Sequence, residues 1–141
     1  MTSLVRYFPG ISRVLLSVTF IATGFGKMAY WRGAEDYMAT KNLPAIPLLL
    51  LLATLIECGG GIALFLGWKA RYGALTLFVY LIPVTILFHD FWALQGMQAQ
   101  IEMISFMKNI AIMGGLGLVI AFGPGPHSVD SWRRRKAAPR R

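Results

Sequence analysis

Glu57 is the only charge in the run Pro44–Leu66, which is 23 residues long. About 20 predominantly apolar residues suffice to cross a bilayer as a helix, so this acid falls near the middle of a membrane span. A carboxylate at that depth is costly and faces a bundle interior or a wet cavity, where it needs a partner, a proton or water. Other polar residues stand at helical spacing in the neighbouring apolar runs. Thr19, Thr23 and Lys27 recur every four residues, Thr85 precedes His89 by four, and Ser105, Lys108 and Asn109 precede Gly114-Gly115-x-Gly117. Every run thus offers a polar patch, and converging in a bundle these patches form one pocket opening toward the outer face. Lys108 is expected about five residues in from the outer edge and Glu57 about ten, roughly 7–8 Å apart in height, so a direct and a water-bridged pair both fit. No metal-ligand spacing, phosphate loop or nucleophile–base motif is present, so hydrolysis and nucleotide chemistry are unsupported.

Each of these residues also has a plainer reading. Threonines in membrane helices bond to their own backbone. The glycines of Gly59-Gly60-Gly61 and Gly114-Gly115 serve as packing surfaces. Lys27 and Lys108 snorkel to the headgroups, His89 beside Asp90 is an ordinary interface residue, and Cys58 is an inert buried thiol. Glu57 is the hardest to explain away.

The elements that must position these groups follow from composition. Of 141 residues, 56% are hydrophobic and 14% charged, which indicates an integral membrane protein rather than a soluble domain. The fold class is all-α, a membrane four-helix bundle with spans about 9–30, 46–67, 70–90 and 103–123. Uncharged cores Val14–Gly26 and Ile110–Phe122 have 13 residues each, so spanning requires taking in Lys27 and Lys108. The first run follows Arg6 but has no small-x-small cleavage site, so it reads as a helix and not a signal peptide. Pro83 predicts a kink in the third span. Ala34–Lys41 either extends the first helix or forms an interfacial turn, stopped by Pro44. Phe91–Gln100 reads as a polar outer loop broken at Gly96. Residues 1–130 form one domain, and 131–141 a basic, disordered tail. The single cysteine excludes an intrachain disulfide and paired-thiol chemistry.

Orientation follows from the basic residues. Arg6, Arg13, Lys69, Arg71 and the six tail charges at 133–136, 140 and 141 make ten on one side, against Lys27, Arg32, Lys41 and Lys108 on the other. Both termini are therefore expected in the cytoplasm. The net charge of +8 owes much to that tail, a placement that fits an anionic lipid surface and not nucleic acid.

The residues also resemble a known family. Arg13-Val-Leu-Leu-Ser, Phe20 to Gly26-Lys27-Met28, Glu57-Cys-Gly-Gly-Gly and Phe88-His89-Asp90-Phe91-Trp92 occur in order. Phe106-Met-Lys108-Asn109-Ile-Ala-Ile-Met-Gly114-Gly115 and Gly123-Pro124-Gly125-Pro-His-Ser128-Val-Asp130 follow. This series, from about Leu4 to Asp130, resembles the DoxX family of small four-helix bacterial membrane proteins. The resemblance implies a multi-pass protein of the bacterial plasma (inner) membrane, linked in some members to redox chemistry. One relative is a subunit of a thiosulfate:quinone oxidoreductase, and another a membrane partner of superoxide dismutase and a sulfurtransferase. The family's recurring polar positions map onto Arg13, Lys27, Glu57, His89, Lys108 and Asn109. Asp90 departs from the pattern, which expects a neutral polar residue there and bears on the surroundings of His89.

Three functions remain open on this reading. In the first the chain is a quinone-linked redox subunit or accessory. Glu57 and His89 exchange protons, while Lys27, Lys108, Asn109 and Thr23 hold the substrate. No flavin, haem or iron–sulfur motif is visible, so quinone is a substrate, and electrons come from a redox partner protein or a diffusible reductant. The second is a non-catalytic scaffold whose buried charges set helix register. The third is a small-molecule or proton carrier, which four helices support only as a homo-oligomer.

Overall fold

Apolar length dictates the architecture. The computed structural model describes residues 5–137, so Leu4 of the family-like series and the tail arginines Arg140 and Arg141 lie outside the described residues. Four helices are long and apolar enough to cross a membrane: α1 (Phe8–Ala29), α3 (Ile46–Leu66), α4 (Ala70–Phe88) and α5 (Gly96–Phe122). Shorter helices α2 (Trp31–Ala39) and α6 (Val129–Ala137) and a 3₁₀ turn at Phe91–Ala93 complete the chain, with no strand among the described residues. Side chains such as Leu15, Leu55, Val79, Ile104 and Phe122 are exposed around the outside. Such an apolar exterior is that of a bundle solvated by lipid.

The first three spans lie close to the expected boundaries, and the differences elsewhere have local causes. Tyr30, at φ −123° and ψ 50°, breaks α1 from α2, so Trp31–Ala39 is a separate segment and not an extension of the first helix. Gly96 does mark a break, with φ +61°, but α5 starts there instead of near 103. The polar residues beyond it, Gln98 and Gln100 among them, are good helix formers and continue the span outward. Residues 131–137, expected to be disordered, belong to α6. Their helix is anchored at its start, where the Ser131 N–H donates to Ser128 Oγ at 3.2 Å and Ser131 Oγ to the Pro126 carbonyl at 2.5 Å.

Glycine determines how closely the spans approach. A Cβ on Gly24 of α1 would lie 2.6 Å from Cys58 Sγ and 3.3 Å from the Cys58 backbone nitrogen on α3. One on Gly61 would lie 2.9 Å from Ile21 Cγ1 and 3.2 Å from its backbone nitrogen. Helices α1 and α3 therefore pack with backbones almost in contact, as small residues allow in membranes. Gly60, one position round, faces Leu77 of α4, and Gly73 of α4 faces Ala63 and Gly60. Helix α3 is thus the hub, with α1 on one flank and α4 on the other, and α5 packs on α4. Between them lies a core of Phe20, Leu64, Ala70, Ala74, Leu77, Leu81, Leu116 and Val119.

The end bearing the α3–α4 turn is sealed by the chain's last described segment. Asp130 accepts hydrogen bonds from the backbone N–H of Lys69 (2.9 Å) and Ala70 (3.1 Å), and so caps α4. Its own N–H donates to the Gly67 carbonyl at 3.0 Å. Arg13, only 4% exposed, lies beneath this turn and donates from Nη2 to the His127 carbonyl at 3.0 Å. Gly67, at φ +65°, has no room for a side chain against that guanidinium.

These contacts make the glycines unequal. Replacing Gly61 by Val overpacks the α1–α3 contact and is expected to destabilise the protein by about 1–3 kcal/mol in detergent. Gly59→Ala, where no atom lies within 4 Å of an added Cβ, is expected to leave the thermal midpoint unchanged or raise it. Equal loss in both variants would contradict the packing described.

Candidate functional site

Antiparallel packing aims two side chains at each other. The Cα–Cβ bond of a helical residue tilts toward that helix's N-terminus. Lys27, in the last turn of α1, therefore leans back into the bilayer, and Glu57, on the antiparallel α3, leans the opposite way to meet it. The Gly24–Cys58 contact sets the register that makes them level. Lys27 Nζ lies 2.6 Å from Glu57 Oε2 and 2.9 Å from Oε1. From α4, the Tyr80 hydroxyl donates to Glu57 Oε1 at 2.7 Å. A carboxylate whose side chain is 7% exposed thus has a counter-charge and a second donor, drawn from two other spans.

These groups form part of the wall of a cavity of about 410 Å³ bounded by α2, α3 and α4. Its lining is otherwise mostly apolar, including Met38, Leu50, Ala53, Ile56, Pro83, Val84 and Phe88, with Tyr37 and His89 near its end. Leu52 and Leu87 on its rim are 46% and 44% exposed, so the cavity reaches the lipid-facing surface. A count of protons shows what it offers a guest. An ammonium has three donors, and Lys27 directs two contacts at Glu57 while its side chain stays 26% exposed. One N–H is left for an acceptor in the cavity, and the Tyr80 oxygen keeps its lone pairs.

Further polar pairs close the same end. His89 Nδ1 lies 2.7 Å from Glu102 Oε2 on α5, and Gln98 Nε2 donates to the other Glu102 oxygen at 3.3 Å. Asp90 pairs with Lys41 at 2.5 Å and makes no hydrogen bond to His89. The family-atypical acid therefore leaves the imidazole to Glu102. Tyr37 of α2 donates to the Phe88 carbonyl at 3.4 Å, and its hydroxyl pKa is raised by burial first and by the Glu102 and Asp90 charges, against an opposing effect of Lys41.

Of the residues singled out from sequence, Glu57, Lys27 and His89 share this cavity and the others do not. Thr23 is exposed and donates to the backbone carbonyls of Thr19 and Phe20. Asn109 is buried in the α4–α5 contact, donating to Thr85 Oγ1 at 3.2 Å. Lys108, one position round from Asn109, is exposed and makes no ion pair among the described residues, so the partner of Glu57 is Lys27. Tyr80 and Glu102 were missed. A phenol in mid-span, away from both interfaces and three residues before Pro83, was the available signal for the first. Among the described residues no cluster of three or more His, Cys, Asp or Glu is arranged to hold a metal.

The pairing predicts a non-additive mutant cycle. Lys27→Met strands a buried carboxylate and is expected to cost about 3–5 kcal/mol, whereas Lys27→Met with Glu57→Gln costs less than Lys27→Met alone. Tyr80→Phe is expected to cost about 1.5–3 kcal/mol, as for a hydrogen bond to a charged group. Thermal unfolding of the wild type, Lys27→Met, Glu57→Gln, their double variant and Tyr80→Phe in one detergent checks this, and additive losses of the two single variants in the double would rule out the pair.

The comparisons with known proteins agree with the architecture. The DoxX family profile matches residues 8–90. The chain is 33% identical over 126 residues to the inner membrane protein YqjF of Escherichia coli, covering 89% of this chain and 92% of that one. It is 32% identical over 120 residues to the inner membrane protein YphA of the same organism, covering 85% and 86%. A Surfeit locus protein 4 homolog of Drosophila melanogaster is 23% identical over 126 residues, covering 87% of this chain and 40% of that protein. No solved structure matches. With its family profile running from the start of α1 to the end of the Glu57–His89 wall, and with two bacterial inner membrane relatives aligned over most of their length, this multi-pass membrane protein belongs to the DoxX family.

Proposed function

We propose that the cavity holds the headgroup of a membrane-dissolved quinone, and that the protein serves a redox system as its membrane subunit or accessory. The observation that carries this reading is the unspent N–H of a partly exposed, charge-balanced Lys27 in an otherwise apolar cavity of ligand size. A quinone carbonyl accepts that bond, and its apolar tail leaves between Leu52 and Leu87 into lipid. Reduction to the quinol adds two electrons and two protons. The electrons come from a redox partner protein or a diffusible reductant, and the protons enter through His89 and Glu57. On this reading the end carrying Arg13, Lys69, Arg71 and α6 faces the cytoplasm, as the excess of basic residues favours, and the cavity lies in the outer half of an inner membrane.

A second reading is favoured by one feature. Glu57, Lys27 and Tyr80 satisfy one another without any ligand, as they would in a scaffold whose buried charges lock helix register.

Extraction of the detergent-purified protein with organic solvent, followed by chromatography for quinones, separates the two. The redox reading expects near-stoichiometric quinone that is lost in Glu57→Gln and in Ala53→Trp, which fills the cavity, while both variants keep their helical content. A quinone content no higher than that of an unrelated membrane protein would leave the scaffold reading, with loss of assembly in Glu57→Gln as its mark.

A further inference from the structure

At the end opposite the cavity, two surfaces of different chemistry meet. Capping of α4 by Asp130 brings α6 back over the α3–α4 turn. Lys69 and Arg71 from the turn and Arg133 and Arg134 from α6 then border one cleft of about 340 Å³. The acid in that cleft, Asp130, has both oxygens engaged by backbone N–H groups, and among the described residues none of the four cations forms an ion pair, so the cleft carries a net positive charge. Trp68 and Trp132 lie half exposed at the same end, each with a lysine ammonium over its ring, at 5.5 Å for Lys69 and 4.1 Å for Lys136. Tryptophan and lysine in this arrangement mark the headgroup layer of a bilayer.

Beside the cleft runs an apolar groove of about 730 Å³ between α1 and α5, which hardly touch because the bundle closes through α3 and α4. Leu15, Leu16, Leu118 and Phe122 line it, and it extends from Phe8 to Thr19. Eleven residues of rise make it about 16 Å long, the reach of roughly a dozen methylenes. The two surfaces join at Gly123–Pro124: Gly123 lines the groove, Pro124 lines the cleft, and the Arg71 guanidinium lies over Gly123 while donating to the Ala121 carbonyl at 3.2 Å. Arg13, on the inner wall of the groove, has Nε and Nη1 without partners among the described residues, which adds to the positive potential there.

From this juxtaposition we infer a binding site for one anionic phospholipid of the adjoining leaflet. Its phosphate lies among Lys69, Arg71, Arg133 and Arg134, and one acyl chain runs along the α1–α5 groove. Charge complementarity selects the head, and a groove at membrane depth that begins where the cleft ends selects a lipid over a soluble anion. The site is independent of the quinone cavity and stands whether or not that cavity binds quinone.

Native mass spectrometry of the full chain, titrated in detergent with phosphatidylglycerol or phosphatidylcholine, tests it. One phosphatidylglycerol per chain is expected to be retained, about tenfold or more in preference to phosphatidylcholine. Arg133→Gln with Arg134→Gln, two exposed cations with no ion-pair partner among the described residues, is expected to abolish that preference. Arg135→Gln with Lys136→Gln, which removes the same charge from α6 outside the cleft, keeps it. Leu118→Trp, on the exposed wall of the groove, lowers retention of both lipids. Equal retention of the two lipids would overturn the site, as would equal loss in the two charge variants, which would mark a diffuse electrostatic effect. Predominance of lipid-free dimers would instead assign the groove to a second copy.

Discussion

A carboxylate in the middle of a membrane must be neutralised within the reach of one or two side chains, and the bundle is arranged around that requirement. Lys27 reaches Glu57 only because α1 and α3 run antiparallel and because Gly24 and Gly61 let their backbones close. Tyr80 reaches it because Gly60 and Gly73 bring α4 to the other flank of the same helix. The three consecutive glycines at 59–61 therefore do different things. One faces each neighbour, and the third faces neither.

The two ends of the molecule solve different problems. At the basic end the open backbone of the α3–α4 turn is closed by a returning strap, with Asp130 as a helix cap and Arg13 buried beneath it. At the other end three polar contacts, His89–Glu102, Lys41–Asp90 and Tyr37 with Phe88, tie α2, α4 and α5 together around the cavity. The gap between α1 and α5 follows from the same hub geometry. A helix that holds both flanks through glycine contacts leaves its outer neighbours to meet only narrowly, as where Leu16 lies against Gly115.

Spans, fold class and the exceptional status of Glu57 were legible in the sequence, since length and hydropathy act locally. The partner of Glu57 was not. Counting depth along each helix treats the spans as parallel rods and makes Lys108 as good a partner as Lys27. Rotation about the helix axis decides between them, and it is fixed by packing. Asn109 turns inward to Thr85 and so turns Lys108 outward. Helix α6 was illegible for a related reason. A run of four cations reads as a solvated tail until Ser128 and Asp130, just past the bundle's last span and in no local pattern, are seen to dock it on the α3–α4 turn.

A satisfied ion pair is compatible with proton chemistry, but it restricts the route. If Lys27 gave up a proton to a guest, the buried carboxylate of Glu57 would keep its charge with only Tyr80 to answer it. The proton would have to be replaced as it left. Water cannot come from the lipid side past Leu52 and Leu87, so replacement comes from the polar end of the cavity, where His89 stands. Its Nδ1 is held by Glu102 on α5, and Nε2 has no hydrogen bond among the described residues. An imidazole fixed on one nitrogen and free on the other can pass a proton inward and be refilled through its carboxylate partner. On the quinone reading, then, His89 and Glu57 matter for protonation and Lys27 for binding. On the scaffold reading neither the free nitrogen of His89 nor the third N–H of Lys27 has a use.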